Sequence, residues 1–275
     1  MAGAPFGAAV SAARWALLIA ASAFAVAAVA GYIGSRWLRV KELDVRFSDL
    51  PESLEGLRIV QISDLHVGPH TSRSYLAAVS RKVRDARPDL IAITGDQVDD
   101  YARDVDSFAE AFAGLSAPLG VFAVPGNHDV YAGWSAVRAG LEAMGLTVLV
   151  NDAVEVRRGT DSFWVAGTGD PAGGGAKPDL GRTLARVPEG AFTIALAHNP
   201  ALWPGLARRG VHLTLSGHTH YGQFSIPSLG WSLASPFLEY AMGTHRFAES
   251  LLYINPGTNY WGLPFRIGAL PEVTV

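Results

Sequence analysis

Two histidines placed two residues apart follow a short apolar segment in the C-terminal half of the chain. Residues 211–215 have the composition of a buried strand, and Ser216 and Gly217 end that strand before His218 and His220. Both imidazoles can therefore face one site, and imidazole is a common ligand of transition metals. Taken alone, such a pair is more often two surface or hydrogen-bonded histidines than a metal site. Its meaning depends on the residues that precede it.

Four earlier polar clusters also come directly after apolar segments. They are Asp64 with His66, Asp96 with Asp99, Asn127 with His128, and the single residue His198. In open α/β sheets, ligands bind at the carboxyl ends of the strands. The five clusters are therefore expected to converge on one site.

Seven of these side chains have the chemistry of metal ligands, namely Asp64, His66, Asp96, Asn127, His198, His218 and His220. Imidazole, carboxylate and amide donors suit Zn, Mn or Fe. Seven ligands are too many for one tetrahedral ion, but they suffice for two divalent ions if one carboxylate bridges them. Two such ions can clamp a phosphoryl group for in-line displacement. The chain has no cysteine, which excludes thiolate ligands and disulfides.

In this order the clusters resemble the five motifs of the calcineurin-like metallophosphoesterases. The motifs read Asp64-x-His66, Gly95-Asp96-x-x-Asp99, Gly126-Asn127-His128-Asp129, His198 and Gly217-His218-Thr219-His220, and the resemblance covers about residues 57–275. It implies an α/β fold, a four-layer αββα sandwich in which two mixed sheets face each other. The fourth motif often reads Gly-His and here reads Ala197-His198, a change that removes no ligand.

The same resemblance implies a role for each site residue. One metal would be held by Asp64, His66, Asp96 and His220, and the other by Asp96, Asn127, His198 and His218, with Asp96 as the bridge. His128 would be the histidine beside the phosphate that binds no metal, and Asp99 its hydrogen-bond partner. A carboxylate on one ring nitrogen raises the basicity of the ring, so that the other nitrogen can protonate a leaving group. A water bridging two divalent ions would lose a proton near neutral pH and act as the nucleophile.

The elements that position these clusters alternate between strands and helices. A helix is predicted at 75–87, capped by Ser72 or Ser74 and stopped by Pro88, and others are predicted at 105–115 and 135–144. This alternation indicates a layered α/β domain. With 275 residues, of which 49% are apolar, the chain can bury a large core.

The N-terminal region contains an uncharged segment, Trp15–Ser35, between Arg14 and Arg36. It is long enough to cross a bilayer as a helix. Residues 28–30, before Gly31, also have the small-x-small form of a signal-peptidase site. We therefore expect a transmembrane helix or a signal, at about 15–35 within an N-terminal segment 1–39, and favour the uncleaved anchor. A linker 40–56 and a phosphoesterase domain 57–275 would follow.

The expected function is hydrolysis of a phosphoester near the membrane, for which a lipid-linked phosphate is one candidate substrate. A net charge of -3 and a pI near 6.2 argue against a nucleic-acid scaffold as partner. The alternatives are a non-catalytic, membrane-tethered binding module of the same fold, or a hydrolase of soluble nucleotides or phosphoproteins. The apolar stretch 221–240 fits core packing and lipid contact equally well.

The expected location of the domain is outside the cytoplasm, with the cytoplasmic face as the alternative. This expectation depends on residues 28–30 and on resemblance to the membrane-anchored or exported bacterial branch related to the YkuE and YaeI phosphoesterases. The features that carry it are the N-terminal apolar segment, Gly167-x-Gly169-Asp170-Pro171, and the C-terminal residues 263–267 with Pro271 and Glu272. The sequence leaves the oligomeric state open.

Overall fold

The computed structural model describes residues 3–275, with side chains from residue 7 onward; Met1 and Ala2, which belong to the predicted segment 1–39, lie outside the described residues. The helices of this part of the chain are α1 (Gly3–Gly34), α2 (Arg73–Asp85), α3 (Val105–Phe112), α4 (Asn127–Ala143), α5 (Leu180–Thr183) and α6 (Trp203–Ala207). The strands are β1 (Arg39–Lys41), β2 (Ile59–Ile62), β3 (Leu90–Ile93), β4 (Val121–Ala123), β5 (Thr147–Val148), β6 (Asp152–Arg158), β7 (Asp161–Gly167), β8 (Thr193–Leu196), β9 (Leu213–Ser216), β10 (Ser225–Ile226), β11 (Trp231–Ser232), β12 (Gly243–Phe247), β13 (Ser250–Ile254) and β14 (Glu272–Thr274).

Two six-stranded sheets form the body of the fold. The first has the order β1-β14-β2-β3-β4-β5, in which β2 to β5 are parallel and β14 is antiparallel to β2. The second has the order β12-β13-β9-β8-β7-β6, in which β13, β9, β8 and β7 are parallel and both edge strands are antiparallel. Both sheets are therefore mixed. Strands β10 and β11 pair separately.

Alternating residues of the first sheet enter two different cores, because successive side chains of a strand point to opposite faces. Val60 and Ile91 pack with helices α2, α3 and α4, whereas Leu90 and Ala92 face the second sheet. The other face of the second sheet packs against α5 and α6, with Leu206 at its centre. This arrangement confirms the predicted four-layer αββα sandwich, although α5 and α6 are so short that the second helical layer is thin.

Helix α1 is long and apolar enough to cross a membrane. The candidate span Gly7–Gly34 would measure about 42 Å at 1.5 Å per residue, compared with roughly 30 Å of hydrocarbon in a bilayer. Trp15, Leu17 and Phe24 are largely exposed. A helix that presents apolar side chains on all sides is suited to lipid contact.

The last turn of α1 packs into the folded domain. The backbone N–H of Arg266 donates a hydrogen bond to the carbonyl oxygen of Gly31, at 2.9 Å. A Cβ on Gly31 would collide with the ring of Phe265, and one on Gly34 would collide with the carbonyl oxygen of Arg266. Because larger residues would not fit, these glycines allow the helix to contact the segment 256–271 directly.

Residues 40–56, which the sequence predicts as a linker, are packed against the sandwich. Their first residues belong to β1, which pairs with β14. Leu43, Val45 and Phe47 contact the core between the sheets. The division of the chain into 1–39, 40–56 and 57–275 stays a prediction.

The starts of helices α2 and α4 depend on local sequence and determine where the neighbouring loops end. The side chain of Ser72 accepts a hydrogen bond from the N–H of Tyr75 and caps α2, as predicted. Helix α4 begins at Asn127, eight residues before the predicted start, which was therefore wrong. Gly133 has a positive φ of 115° and kinks the helix. Because the kink interrupts the helical spacing of apolar residues, the first turn could not be recognised from the sequence. Asn127 and His128 consequently lie in the first turn of a helix.

Candidate metal centre

The nine predicted site residues lie together at the carboxyl ends of five parallel strands. The first sheet supplies residues after β2, β3 and β4, and the second sheet supplies residues after β8 and β9. Among the described residues, four overlapping sets of three acidic or histidine side chains could hold a metal ion, namely Asp64, His66 and His220; His66, Asp96 and His128; Asp64, Asp96 and His198; and Asp99, Asp100 and His128. The seven predicted ligands form two groups, with Asp96 between them.

The first group consists of Asp64, His66 and His220, whose donor atoms face one another. Nε2 of His66 lies 3.0 Å from Nε2 of His220, and the latter atom lies 3.2 Å from Oδ1 of Asp64. All three side chains are buried. Two imidazole nitrogens that point at each other beside a carboxylate form a donor set that fits a divalent transition-metal ion.

The second group consists of Asn127, His198 and His218. Oδ1 of Asn127 lies 3.2 Å from Nε2 of His198 and 2.9 Å from Nδ1 of His218. The groups meet at Asp96, whose Oδ2 lies 3.2 Å from Nε2 of His198 and 3.7 Å from Nε2 of His66. One carboxylate oxygen thus faces both groups, which is the geometry that a bridging ligand requires.

The opposite ring nitrogens of two buried histidines also have partners. Nδ1 of His198 donates to the carbonyl oxygen of Thr94 at 2.8 Å, which leaves Nε2 free to bind a metal. Nδ1 of His66 lies 3.2 Å from Oδ1 of Asp99. These contacts fix the orientation of both rings.

Left-handed backbone conformations are concentrated in this site. Of the predicted ligands, those with positive φ are Asp64 (52°), His66 (43°), Asp96 (51°), His218 (71°) and His220 (48°). Each such residue costs of order 1–3 kcal/mol and persists only where surrounding contacts enforce it. Backbone hydrogen bonds between the first two loops, from the N–H of Asp64 to Gly95 and from that of His66 to Asp96, provide such contacts. Strain of this kind is typical of functional sites.

His128 lies beside the first group and is bound by the predicted partner. Its Nδ1 lies 3.2 Å from Oδ1 of Asp99, the same oxygen that faces His66. Burial lowers the pKa of His128, but the hydrogen bond to Asp99 and the nearby carboxylates outweigh it and raise the pKa above its usual value. Asp99 therefore contacts two histidines, His66 and His128, whereas the sequence predicted a contact with His128 only. The rings of Tyr131 and Trp261 lie 5.7 and 5.8 Å from that of His128.

Arg266 is a site residue that the sequence analysis did not identify. Its side chain is fully buried, and its Nη2 lies 2.6 Å from Nδ1 of His220. The guanidinium also donates to the carbonyl oxygens of Pro256, Asn259 and Ala269. Two signals were available, since Arg266 is the one charged residue of 256–271 and lies in the C-terminal stretch that carries the resemblance to the bacterial branch.

Asp129 was also missed as a structural part of the site. It accepts hydrogen bonds from the backbone N–H groups of Gln97, Val98 and Gly126 and so joins the loop after β3 to the start of α4. Burial and the charge of Asp96 raise its pKa to about 7.

The electrostatics of the site favour a bound cation. Burial raises the pKa of the two central carboxyls, but the neighbouring histidines outweigh it, so that the pKa of Asp64 falls well below its usual range and that of Asp96 to about 2. Burial lowers the pKa of His220 to about 4, and the charge of Arg266 acts in the same direction. Ionised carboxylates and the neutral imidazole of His220 are protonation states that metal binding requires. Burial lowers the pKa of His198, but the carboxylates of Asp96 and Asp64 outweigh it and raise that pKa well above its usual value, so this ring would release a proton on binding a metal.

A comparison with family models identifies residues 57–222 as a calcineurin-like phosphoesterase domain. Among similar proteins, the chain is 34% identical over 251 residues to a transmembrane protein with metallophosphoesterase domain from Danio rerio, a match that covers 86% of this chain and 56% of that protein. It is 32% identical over 251 residues to the uncharacterized metallophosphoesterase YkuE of Bacillus subtilis, and this match covers 90% of this chain and 87% of that one.

Solved structures show the same fold. The crystal structure of TT1561 from Thermus thermophilus superposes with a TM-score of 0.50 at 14% sequence identity, over 73% of this chain and 90% of that one. The chain spans just over half the length of the Danio rerio and Bos taurus relatives, since the match covers 56% of each.

Proposed function

Because the chain belongs to the calcineurin-like phosphoesterase family, we propose that it hydrolyses phosphoesters with two divalent metal ions, Mn, Zn or Fe. Asp64, His66, Asp96 and His220 would hold one ion, and Asp96, Asn127, His198 and His218 the other. The observation that carries this proposal is the position of Oδ2 of Asp96, which faces both groups of donors. When bound, the ions would supply Lewis-acid activation of water and of the phosphoryl group.

The chain's own residues would provide positioning and proton transfer. Nδ1 of His128 faces Asp99, so that its other ring nitrogen is available to protonate the leaving-group oxygen. The N–H of His128 donates to Oδ1 of Asp96 at 2.8 Å, and the N–H of His218 donates to Asp64. These bonds hold the two central carboxylates in place by backbone contacts.

The competing proposal is a non-catalytic binding module of the same fold. All seven donor side chains are present and face one another, and this favours catalysis, because a module without catalysis has no need for a complete ligand set. Hydrolysis of a soluble nucleotide or phosphoprotein is a further alternative, since the same site can serve many substrates.

The decisive experiment combines metal analysis with hydrolysis of a generic aryl phosphodiester by the purified full-length chain. We expect about two transition-metal ions per chain, and loss of both ions and activity in Asp96→Asn. His218→Ala should also lose activity. His245→Ala is its matched control and should keep activity, because His245 lies in β12 and bonds to the carbonyl oxygen of Met242. Full activity in a metal-free chain, or unchanged activity in Asp96→Asn, would refute the proposal.

We also propose that α1 anchors the chain in a membrane with the domain outside the cytoplasm. The length and exposure of α1 support the anchor, as does the name of the Danio rerio relative, a transmembrane protein. Protease protection of the domain in intact spheroplasts would instead indicate the cytoplasmic face. A mature protein that begins near Gly31 would indicate a cleaved signal.

The substrate that best fits an anchored enzyme is a phosphoester at the membrane surface, with a lipid-linked phosphate as the candidate. An anchor raises the effective concentration of a membrane-bound substrate. A substrate panel of lipid, nucleotide and phosphopeptide esters, tested with the full-length chain in vesicles and in detergent, decides the class. If vesicles give no advantage on lipid esters, the substrate is a soluble one.

A further inference from the structure

We propose that two loops beside the site, neither of which exposes a charge, form a membrane-docking surface that rests on the bilayer into which α1 inserts. The docking surface consists of residues 221–238 and 256–271. This inference depends on the proposed membrane anchor but not on the proposed hydrolysis.

The first observation is the exposure of large apolar side chains in both loops. Phe237 is 81% exposed, Leu263 76%, Leu229 73%, and both Leu233 and Trp261 51%. The sequence left open whether 221–240 is core or surface, and the structure buries Tyr221 while exposing the residues named here. Apolar surface of this extent beside a polar site is typical of an interaction surface.

The second observation is the absence of exposed charge. Residues 221–238 contain no Asp, Glu, Lys or Arg, and the single charged residue of 256–271, Arg266, is fully buried. A surface without charges can enter the interfacial region of a bilayer at low cost, whereas buried charges there are expensive.

The third observation is that the two loops form one unit. The N–H of Ser225 donates to the carbonyl oxygen of Ile267 at 2.9 Å, and the N–H of Ile267 donates to that of Gln223 at 3.1 Å. The side chain of Gln223 also accepts a hydrogen bond from the N–H of Trp261 at 3.0 Å. The exposed apolar residues of both loops therefore move together.

The fourth observation identifies the bilayer as the occupant. The same unit holds the end of the candidate membrane span, because Phe265 and Arg266 pack against Gly31 and Gly34 without space for side chains. The docking surface thus includes residues in direct contact with the end of the candidate membrane span. An inserted α1 would bring this unit close to the bilayer, and lipid is therefore the occupant that we propose.

The docking surface also borders the site. His220 directly precedes residues 221–238, and the ring of Trp261 lies 5.8 Å from that of His128. Docking would therefore place the opening of the site at the level of the lipid headgroups, where phosphoesters of membrane lipids are found.

The chain offers a direct test because it contains no cysteine, so that single cysteines can be labelled without removing others. Leu233→Cys, Phe237→Cys and Leu263→Cys are each labelled with a nitroxide in the full-length chain. The labelled chains are reconstituted in vesicles of phosphatidylethanolamine and phosphatidylglycerol. Accessibility to oxygen, which partitions into lipid, is then compared with accessibility to a water-soluble nickel complex.

Arg157→Cys is the control. Arg157 is exposed in β6 and pairs with Ser162 near the start of β7, at the sheet edge opposite the site. We expect an oxygen-to-nickel accessibility ratio several-fold higher at the three docking positions than at the control. Equal ratios would overturn the proposal. Protection from both reagents would also overturn it, since it would show that protein covers the surface. Neither result depends on hydrolysis, so failure here is distinct from failure of the proposed reaction.

Discussion

The first predicted subsite, formed by Asp64, His66 and His220, is braced by charged side chains, whereas the second, formed by Asn127, His198 and His218, is braced by uncharged groups apart from the shared Asp96. Asp99 contacts His66 and Arg266 contacts His220. In the second subsite, His198 donates to the backbone carbonyl of Thr94, and the other contacts run to the amide oxygen of Asn127 and to the shared carboxylate of Asp96.

The two subsites also differ in their own charge. Besides the shared Asp96, the first contains the carboxylate of Asp64, while the second contains only neutral donors. A further carboxylate, Asp170, acts on His198 and His218 through space. Since carboxylates attract divalent cations strongly, we expect the first subsite to bind its ion more tightly. If two ions bind as proposed, we therefore expect the ion of the first subsite to be retained and that of the second to exchange.

The largest effect is expected from removing one ligand of each subsite in turn. His218→Ala and His220→Ala alter residues of the same loop, and each should reduce hydrolysis to background because both ions are needed. His218→Ala should retain one ion that resists a chelator, whereas His220→Ala should retain no resistant ion. Metal content after dialysis against a chelator measures this difference. The same ion content in both variants would contradict the asymmetry.

The prediction assigns His128 to neither subsite, so its replacement should separate proton transfer from metal binding. His128→Asn should lower turnover of esters with poor leaving groups by about 10²–10⁴-fold, because only these need a proton delivered. Activated aryl esters should be affected much less, and the ion content of both subsites should match that of the parent. Turnover across a series of leaving groups is the measurement, and a uniform loss would assign His128 to charge stabilisation instead.

These roles could be predicted only in part from the sequence. The candidate ligands could be grouped because each polar cluster follows an apolar strand, and the carboxyl ends of parallel strands meet at one edge of a sheet. That the clusters come from two sheets followed only from the family resemblance. Asp99 was identified as the partner of His128, but its second contact, with His66, depends on how the loops after β2 and β3 cross. The relative position of these two loops depends on the tertiary fold and cannot be predicted from the local sequence of either loop.

Other features were out of reach for physical reasons. Arg266 lies far from His220 in sequence and bonds mainly to backbone carbonyls, whose positions depend on the tertiary fold. The start of α4 was hidden because Gly133 interrupts its helical pattern. The exposure of 221–238 could not be predicted, since lipid contact and core packing require the same apolar composition.

Asp99→Asn tests the charged support of the first subsite. The substitution keeps the shape of the side chain but removes the charge that orients His66 and His128. We expect the affinity for the ion of the first subsite to fall by roughly 10- to 100-fold, the usual cost of losing a hydrogen-bond partner of a metal ligand. Turnover of esters with poor leaving groups should also fall more than that of activated esters, as in His128→Asn. Competition with a fluorescent chelator measures the affinity. If only the turnover of esters with poor leaving groups falls and the ion affinity is unchanged, the contact between Asp99 and His66 does not contribute to metal binding.

The smallest effect is expected from Arg266→Lys, which keeps the charge beside His220 but loses the planar fork that reaches several carbonyl groups at once. A lysine cannot satisfy all of these oxygens, and each one left unpaired costs about 1–3 kcal/mol of stability. We expect a lower melting temperature, together with an affinity loss of about 10-fold for the ion of the first subsite only. Arg158→Lys is the matched control, since Arg158 donates to the carbonyl oxygens of Ser53 and Glu55 far from the site. The control should lower the melting temperature but leave the affinities of both ions unchanged. If the two variants behave alike, Arg266 supports the fold and not the metal ligand, and the asymmetry between the subsites then depends on Asp64 and Asp99 alone.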